Sequence, residues 1–410
     1  MSLPPFNYFL INFISLSSLY IFLIKKSGVN KNKILFFLYG FFFGFGYFIS
    51  NLYWISISLT FDENFKFLIP LTIILVPGFL ALFSAMTVYF FAILKTNNGL
   101  SSFFLFSAIF GIFEFLRGSI FTGFPWNLIA FSFSNYLEIL NITSIIGTYG
   151  FNLFCITLFT SPSLIILKLS KKNFIVFFVI FITTASFYIF GSQKIDKFSK
   201  IETIKNEYKI RVVSSNIDID RFYNNVDPIL IIEELIKISS PEKNEKIIFV
   251  WPEGILPDIS QDKLSEFKWL FEKKFNKNHF LLIGINSETN IDQIKKYFNS
   301  LSVYDHNLNI ISSYNKINLV PFGEFLPFEK ILSKIGFKTI TNNYQSFSRG
   351  KKRNIIEIIV ENQSLKILPL ICYEIIYSGK IFNNDNFDYI INISEDGWFG
   401  QSIGPYQHFE

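Results

Sequence analysis

Cysteine and histidine are nearly absent, at two and three residues in a chain of 410. Cys155 lies within an apolar run and Cys372 in a strand-like segment, so the chain allows at most one disulfide, and the pair resembles neither a disulfide framework nor a metal site. His279, His306 and His408 are scattered, which argues against a histidine-based zinc cluster. Charge is scarce too. Asp, Glu, Lys and Arg make up 17% of the residues, against about 25% in soluble domains. No cleavable leader is apparent, because the first apolar stretch ends in Lys25-Lys26 without a small-residue cleavage site and further apolar stretches follow.

The missing charge is replaced by apolar surface. Half of the residues are hydrophobic, 54 of them phenylalanine, and the mean hydropathy is positive. Positions 1–194 hold eleven Lys/Arg and four Asp/Glu, while the rest of the chain holds 26 and 28, so the excess positive charge belongs to the apolar half. A hydrocarbon core about 30 Å thick needs roughly 20 apolar residues per crossing helix. Six runs qualify, at about 6–24, 34–59, 67–94, 101–121, 140–168 and 173–191. Eight lysines fall on alternate loops, among them Lys25, Lys26, Lys31, Lys33, Lys168, Lys171 and Lys172. By the positive-inside tendency these loops are cytoplasmic, which places Met1 and everything after residue 192 on the opposite side, the periplasm in a bacterium. Glu114 and Arg117 lie one turn apart within the fourth run, where charges are costly and usually paired or functional. We rank pairing along the helix above substrate contact.

From about Tyr208 the pattern changes to short β-branched runs between charged helical stretches: KIRVVSSNI, KIIFVWPEG, HFLLIGIN, IIEIIVEN, LKILPLICYE and DYIINIS. This predicts an α/β domain over 195–410 with its sheet covered by helices, following a helical transmembrane bundle over 1–194.

Three segments each put one reactive residue at a predicted strand end: Glu253 in WPEGILP, Lys316 in YNKINLVPFGEFLP and Cys372 in LICYEI. A cysteine is the strongest nucleophile near neutral pH once ionised, a neighbouring cation promotes that ionisation, and a carboxylate can take the thiol proton. The ammonium then remains to stabilise an oxyanion. Each residue also has an ordinary reading: Cys372 as a core residue, Glu253 as a helix cap, Lys316 as an exposed charge. Periodicity does not decide among these.

The order Glu253, Lys316, Cys372, at separations of 63 and 56 residues, resembles the Glu-Lys-Cys constellation of the nitrilase (carbon–nitrogen hydrolase) superfamily. More narrowly, EFLRGSIFTGFPW, FGYFISNLYWI, LVPFGEFLP, FSRG, ICYEI and DGWFGQSIGPYQHF are similar to the pattern of the apolipoprotein N-acyltransferase family over nearly the whole chain. The resemblance implies a nitrilase-type α-β-β-α sandwich outside the cytoplasm, with Glu253 as base, Lys316 as charged stabiliser and Cys372 as nucleophile. It nominates Glu324, Tyr373 and Glu374 as supporting residues and Trp398 as an aromatic at the mouth of the site. Glu324 and Glu374 read alternatively as a structural ion pair, and Trp398 as ordinary packing.

The resemblance further implies transfer of an acyl chain from a membrane phospholipid, through a Cys372 thioester, to the α-amino group of the diacylglyceryl-cysteine of apolipoproteins. No metal, cofactor or nucleic acid is expected. Rival readings are a membrane-attached amidase with water as acceptor, and a transporter or scaffold whose outer domain merely binds. The apolar segment 322–347, with Phe322, Phe325, Phe328, Ile331, Ile335 and Phe337, reads as a lid dipping into the membrane surface or as a buried helix.

Two local departures stand out. VVSSNID replaces the family's Gln-Gly/Pro-Asn type of turn while keeping Asn216, and Glu395-Asp396-Gly397 stands where Asn-Asp-Ala is more usual. The chain stops at Glu410 within a segment after which family members continue, and its start resembles a stretch that follows a first membrane helix in the family. From this we expect an incomplete gene product.

Overall fold

The computed structural model describes residues 1–410 apart from 30–31, 202–207, 225, 292, 333, 335–338, 340–345, 361–362, 382–385 and 410. The chain divides into two compact units, Met1–Thr203 with Phe399–Glu410, and Ile204–Trp398.

The first unit is helical: α1 (Leu10–Val29), α2 (Lys33–Leu52), α3 (Ile69–Leu94), α4 (Gly99–Arg117), a short α5 (Leu137–Leu140), α6 (Thr143–Thr160), α7 (Pro162–Leu167) and α8 (Lys171–Ser199). Among the described residues, six stretches are long and apolar enough to cross a membrane: Leu10–Gly28, Lys33–Thr60, Lys66–Leu94, Gly99–Arg117, Thr143–Leu167 and Lys171–Ser199. The first starts later than expected: residues 4–6 form a turn, and Asn7 takes φ +53°, a left-handed conformation that a helix cannot contain. The last runs longer, through Lys194, Asp196 and Lys197. Side-chain caps set where helices begin. Asn98 Oδ1 accepts from the amides of Leu100 and Ser101 at 3.0 and 3.2 Å, and Asn32 Oδ1 accepts from Ile34 at 3.0 Å.

α2 and α3 approach closely through Gly40 and Gly44, where an added Cβ would lie 2.5 Å from the Ser84 carbonyl oxygen and 2.7 Å from Ser84 Cβ. Small residues four apart let helix backbones meet where lipid supplies no hydrophobic drive for association. Aromatic packing fills the rest of the interior, with Tyr20, Phe36, Phe91, Phe103, Phe106, Phe151 and Phe159 buried together. Arg117 and Glu114 are buried and paired, with Nη2–Oε2 at 2.5 Å and Nε–Oε1 at 3.2 Å. Arg117 Nη1 also donates to the carbonyls of Phe124 and Trp126 at 2.7 Å, so its charge is spent on holding the turn after α4.

The segment from Phe399 onward, read from sequence as part of the α/β half, finds its partners among these helices. Phe399 packs edge-on against Trp54 at 4.7 Å, and His408 stacks on Trp126 at 5.5 Å. Trp126 Nε1 and Asn127 Nδ2 both donate to Gln407 Oε1 at 3.2 Å.

Among its described residues the second unit holds two sheets. One has the order β1 (Lys209–Val212), β2 (Ile247–Trp251), β3 (His279–Ile291), β4 (Ile294–Tyr304), β5 (Ile310–Asn315), with β1, β2 and β3 parallel and the last two pairings antiparallel. The other is β6 (Ile356–Val360), β7 (Gln363–Ile371), β8 (Tyr389–Ile393), in which β7 and β8 are parallel.

Strand alternation explains the layers. Ile247, Phe249 and Trp251 of β2 face a core shared with α9 (Pro228–Ser239) and α10 (Lys268–Phe271), while Ile248 and Val250 face Ile358, Ile367, Ile371, Ile391 and Ile393 of the second sheet. Asp227 caps α9, whose apolar stripe of Ile231, Ile232, Leu235 and Ile236 is buried. A strand buried on both faces reads as a continuous apolar run, and a covering sheet produces that pattern as well as covering helices do. The first sheet is accordingly covered by helices on one face and by the second sheet on the other.

The β4–β5 hairpin shows no continuous apolar run because its buried positions are mixed: Leu301, Val303 and Tyr314 join the core between the sheets, while Ser300 and Ser302 point the other way. Ser300 and Ser302 are fully buried. Ser300 Oγ lies 2.7 Å from both Ser287 Oγ and Asn315 Oδ1, and Ser302 Oγ is 2.8 Å from Gln261 Oε1. Each buried hydroxyl keeps a partner.

Candidate active site

Carboxyl ends of strands converge in the second unit. Glu253 follows β2, Lys316 follows β5, Cys372 follows β7 and Glu395 follows β8. Lys316 is 1% exposed, and its ammonium donates to Glu253 Oε1 at 3.1 Å and Glu324 Oε1 at 3.0 Å. Asn299 Nδ2 reaches the same two oxygens at 2.6 Å. The remaining oxygens are held by backbone: Glu253 Oε2 accepts from the Glu395 amide at 3.2 Å, and Glu324 Oε2 from the Val320 amide at 2.8 Å. Two carboxylates thus share two donors, one charged and one neutral.

Burial by itself would lower the pKa of the Lys316 ammonium. The opposing fields of Glu253, Glu324, Cys372 and Glu374 outweigh that loss of solvation and hold it well above its ordinary value. Lys316 is therefore a fixed cation at neutral pH, close enough to the sulfur for the two to interact electrostatically.

Cys372 is partly exposed, unlike fully buried Cys155 in α6. It opens a 3₁₀ turn, Cys372–Ile376, with φ +54°, a left-handed conformation that non-glycine residues rarely adopt. Such local strain recurs where a side chain must be presented at a strand end. Tyr373 donates its hydroxyl to the Leu319 carbonyl at 2.7 Å, and its ring lies 5.7 Å from the Lys316 ammonium. Burial, followed by the neighbouring Tyr377, pushes its phenol up, so it stays protonated. Glu374 is 1% exposed and accepts from the amides of Ile317, Asn318 and Ile371 and from Arg353.

Trp398 is half-buried against Phe222 at 4.9 Å and Tyr223 at 6.2 Å. Part of the expected lid, 333, 335–338 and 340–345, with Ile335 and Phe337, lies outside the described residues. Of the rest, Phe322, Phe328 and Ile331 are exposed around the short helix α11 (Glu329–Leu332), and Leu326 is buried.

Comparison with known proteins gives two family matches. Residues 1–160 match the apolipoprotein N-acyltransferase N-terminal domain and residues 233–410 match carbon-nitrogen hydrolase. An apolipoprotein N-acyltransferase of Rhodopseudomonas palustris is 30% identical over the whole chain, which covers 78% of that relative. Those of Rhizobium leguminosarum and Brucella melitensis are also 30% identical, with 100% and 99% of this chain aligned to 78% and 77% of theirs. The chain belongs to the apolipoprotein N-acyltransferase family. Its α/β unit is accordingly of the nitrilase type, and the protein is a multi-pass membrane enzyme.

Within the family pattern, the structure accounts for local choices. The FSRG glycine, Gly350, donates its amide to the Lys316 carbonyl at 2.9 Å, and an added Cβ there would lie 2.0 Å from the Asn315 carbonyl oxygen. The departure at Glu395 reaches beyond local packing. Its carboxylate pairs with buried Arg221, which also donates to the carbonyls of Ile217 and Asp218 at 3.0 Å, while its amide holds the candidate base. Asn216, at the departure near β1, adopts φ +49°. Sequence reasoning missed Asn299, Arg221 and Arg353. Asn299 sits in a strand of mixed polar and apolar positions with no motif around it, and the two arginines were legible only as surface charge.

Proposed function

We propose that this enzyme transfers a fatty acyl chain from a membrane phospholipid to the α-amino group of the N-terminal diacylglyceryl-cysteine of apolipoproteins, through a thioester on Cys372. The observation that carries the reading is a partly exposed cysteine on a left-handed turn beside a buried lysine that is flanked by two carboxylates.

Glu253 takes the Cys372 thiol proton as sulfur attacks the ester carbonyl of the phospholipid. The Lys316 ammonium faces the developing oxyanion. Collapse breaks the ester C–O bond, Glu253 returns the proton to the departing glycerol oxygen, and a lysophospholipid leaves. In the second half the acceptor amine attacks the thioester, Glu253 takes an amine proton, and the thiolate leaves and is reprotonated. Glu324, acting through Lys316, and Glu374 are positioning residues. Trp398, with Phe222 and Tyr223, offers an apolar wall for an acyl chain.

The lysine-bearing loops 25–33 and 168–172 lie in the cytoplasm and the α/β unit lies across the inner membrane in the periplasm. The exposed segment around Phe322, Phe328 and Ile331 is suited to dipping into the membrane surface.

Incubation with phospholipid and no acceptor is expected to leave a hydroxylamine-labile acyl group on the Cys372 peptide. Cys372→Ala abolishes it and Cys155→Ala does not. An acyl group on any other residue defeats the assignment. A single cysteine placed at Asn290, in a chain whose own two are removed, is expected to react with an impermeant maleimide in intact spheroplasts. Labelling only after lysis reverses the orientation.

A further inference from the structure

Glu374 joins the two chain segments that carry the nucleophile and the cation. Its Oε1 accepts from the amides of Ile317 and Asn318 at 3.0 Å, the two residues after Lys316. Its Oε2 accepts from the Ile371 amide at 3.1 Å, the residue before Cys372. Tyr314 Oη on β5 lies 2.9 Å from both oxygens. One buried carboxylate therefore ties the end of β5 to the end of β7, at the place where Cys372 adopts its left-handed conformation.

A carboxylate with no exposed side-chain surface needs a counter-charge, and Arg353 supplies it, with Nη2 at 2.9 Å. The guanidinium is itself fixed on every side. Nε donates to Tyr314 Oη at 3.2 Å, Nη1 to the carbonyls of Ile381 at 2.8 Å and Lys380 at 3.4 Å, and the group lies 5.6 Å from the centre of the Tyr314 ring. A planar, multiply bonded and stacked arginine is a site that lysine cannot reproduce.

We propose that Arg353 is a positioning residue for acyl transfer: it fixes Glu374, and Glu374 sets the Lys316 segment in register with the Cys372 turn. It touches neither substrate nor reacting atoms, and the assignment rests on the roles given above to Cys372 and Lys316. Without Arg353 the buried carboxylate would either take up a proton or move toward water. Both releases free the amides of Ile317, Asn318 and Ile371 and let the ammonium drift from the sulfur. A thiol that loses a nearby cation ionises less readily.

The test uses the full-length membrane enzyme in detergent on a Cys155→Ala background, so that Cys372 is the single thiol. The rate of iodoacetamide alkylation is followed against pH, alongside acyl-adduct formation from phospholipid. Arg353→Gln is expected to move the alkylation midpoint upward by about one pH unit and to slow adduct formation at neutral pH. Arg353→Lys is expected to fall between it and the parent, and it carries the test if the glutamine variant does not fold. Adding Arg353→Gln to Glu374→Gln is expected to move the midpoint no further than Glu374→Gln does alone. An unchanged midpoint in folded Arg353→Lys, or fully additive shifts in the double variant, overturns the proposal. Because alkylation needs no lipid, it reads the clamp separately. A parent enzyme that forms no adduct on Cys372 would refute the function, while the alkylation midpoints would still judge Arg353.

Discussion

Lys316 and Asn299 are bound twice. The Lys316 amide donates to the Asn299 carbonyl at 2.9 Å, and the two side chains then converge on the same pair of oxygens, Glu253 Oε1 and Glu324 Oε1. The backbone bond between β4 and the end of β5 sets the spacing at which an ammonium and an amide can bridge two like charges.

Asn299→Leu keeps the approximate volume and removes the neutral donor. Two buried carboxylate oxygens then each lose a bond, at about 1–3 kcal/mol. We expect a lower melting temperature in detergent and acyl-adduct formation slowed about 10–100-fold, because the base is no longer held. Asn299→Asp should be worse than the leucine variant, since it adds a third carboxylate. An aspartate variant that performs as well as the parent would show that the amide does not bridge these charges.

Lys316→Met separates the charge of the lysine from its packing. The raised pKa of Lys316 in the folded protein means its contribution to stability is complete below its unfolded value, about 10.4, and is lost only as pH rises through the higher folded value. Across pH 5–8 the parent's share from this ammonium is therefore constant. In the variant, Glu253 and Glu324 face each other without a cation. The parent should be the more stable by roughly 3–5 kcal/mol, the range typical of a broken buried pair. Calorimetry at neutral pH reads it, and equal stability of the two proteins would mean that the ammonium does not offset the repulsion between the carboxylates.

The membrane helices were legible because roughly 20-residue apolar runs leave few alternatives, and the observed helices differ mainly at ends, where the left-handed Asn7 precedes α1 and α8 continues through charged residues. The strands carrying Glu253 and Cys372 were legible as β-branched runs. The β4–β5 hairpin was not, since Ser300 and Ser302 are buried by pairing with other polar groups rather than by apolarity. Asn299 was hidden for the same reason, and Arg353 because its partner Glu374 lies 21 residues away, in the turn after β7. Charge pairing over such distances leaves no periodic trace in a single sequence.

Glu253→Gln bears on the division of labour between base and nucleophile. In the parent, Oε1 receives Asn299 and Lys316 while Oε2 receives the Glu395 amide, so both oxygens act as acceptors. A glutamine that keeps its oxygen toward Lys316 turns its NH₂ against the Glu395 amide, which sets donor against donor and costs about 1–3 kcal/mol. The variant should fold less stably, and acyl-adduct formation at neutral pH should fall by about 10²–10⁴, the usual loss for a general base. Raising the pH ionises Cys372 without help, so alkylation by iodoacetamide should recover. Acyl transfer from phospholipid should not recover in parallel, because the departing glycerol oxygen still needs the proton that Glu253 would have carried. Equal recovery of both reactions at high pH would mean that Glu253 serves only to ionise the thiol, and undiminished acylation at neutral pH would remove it from the mechanism.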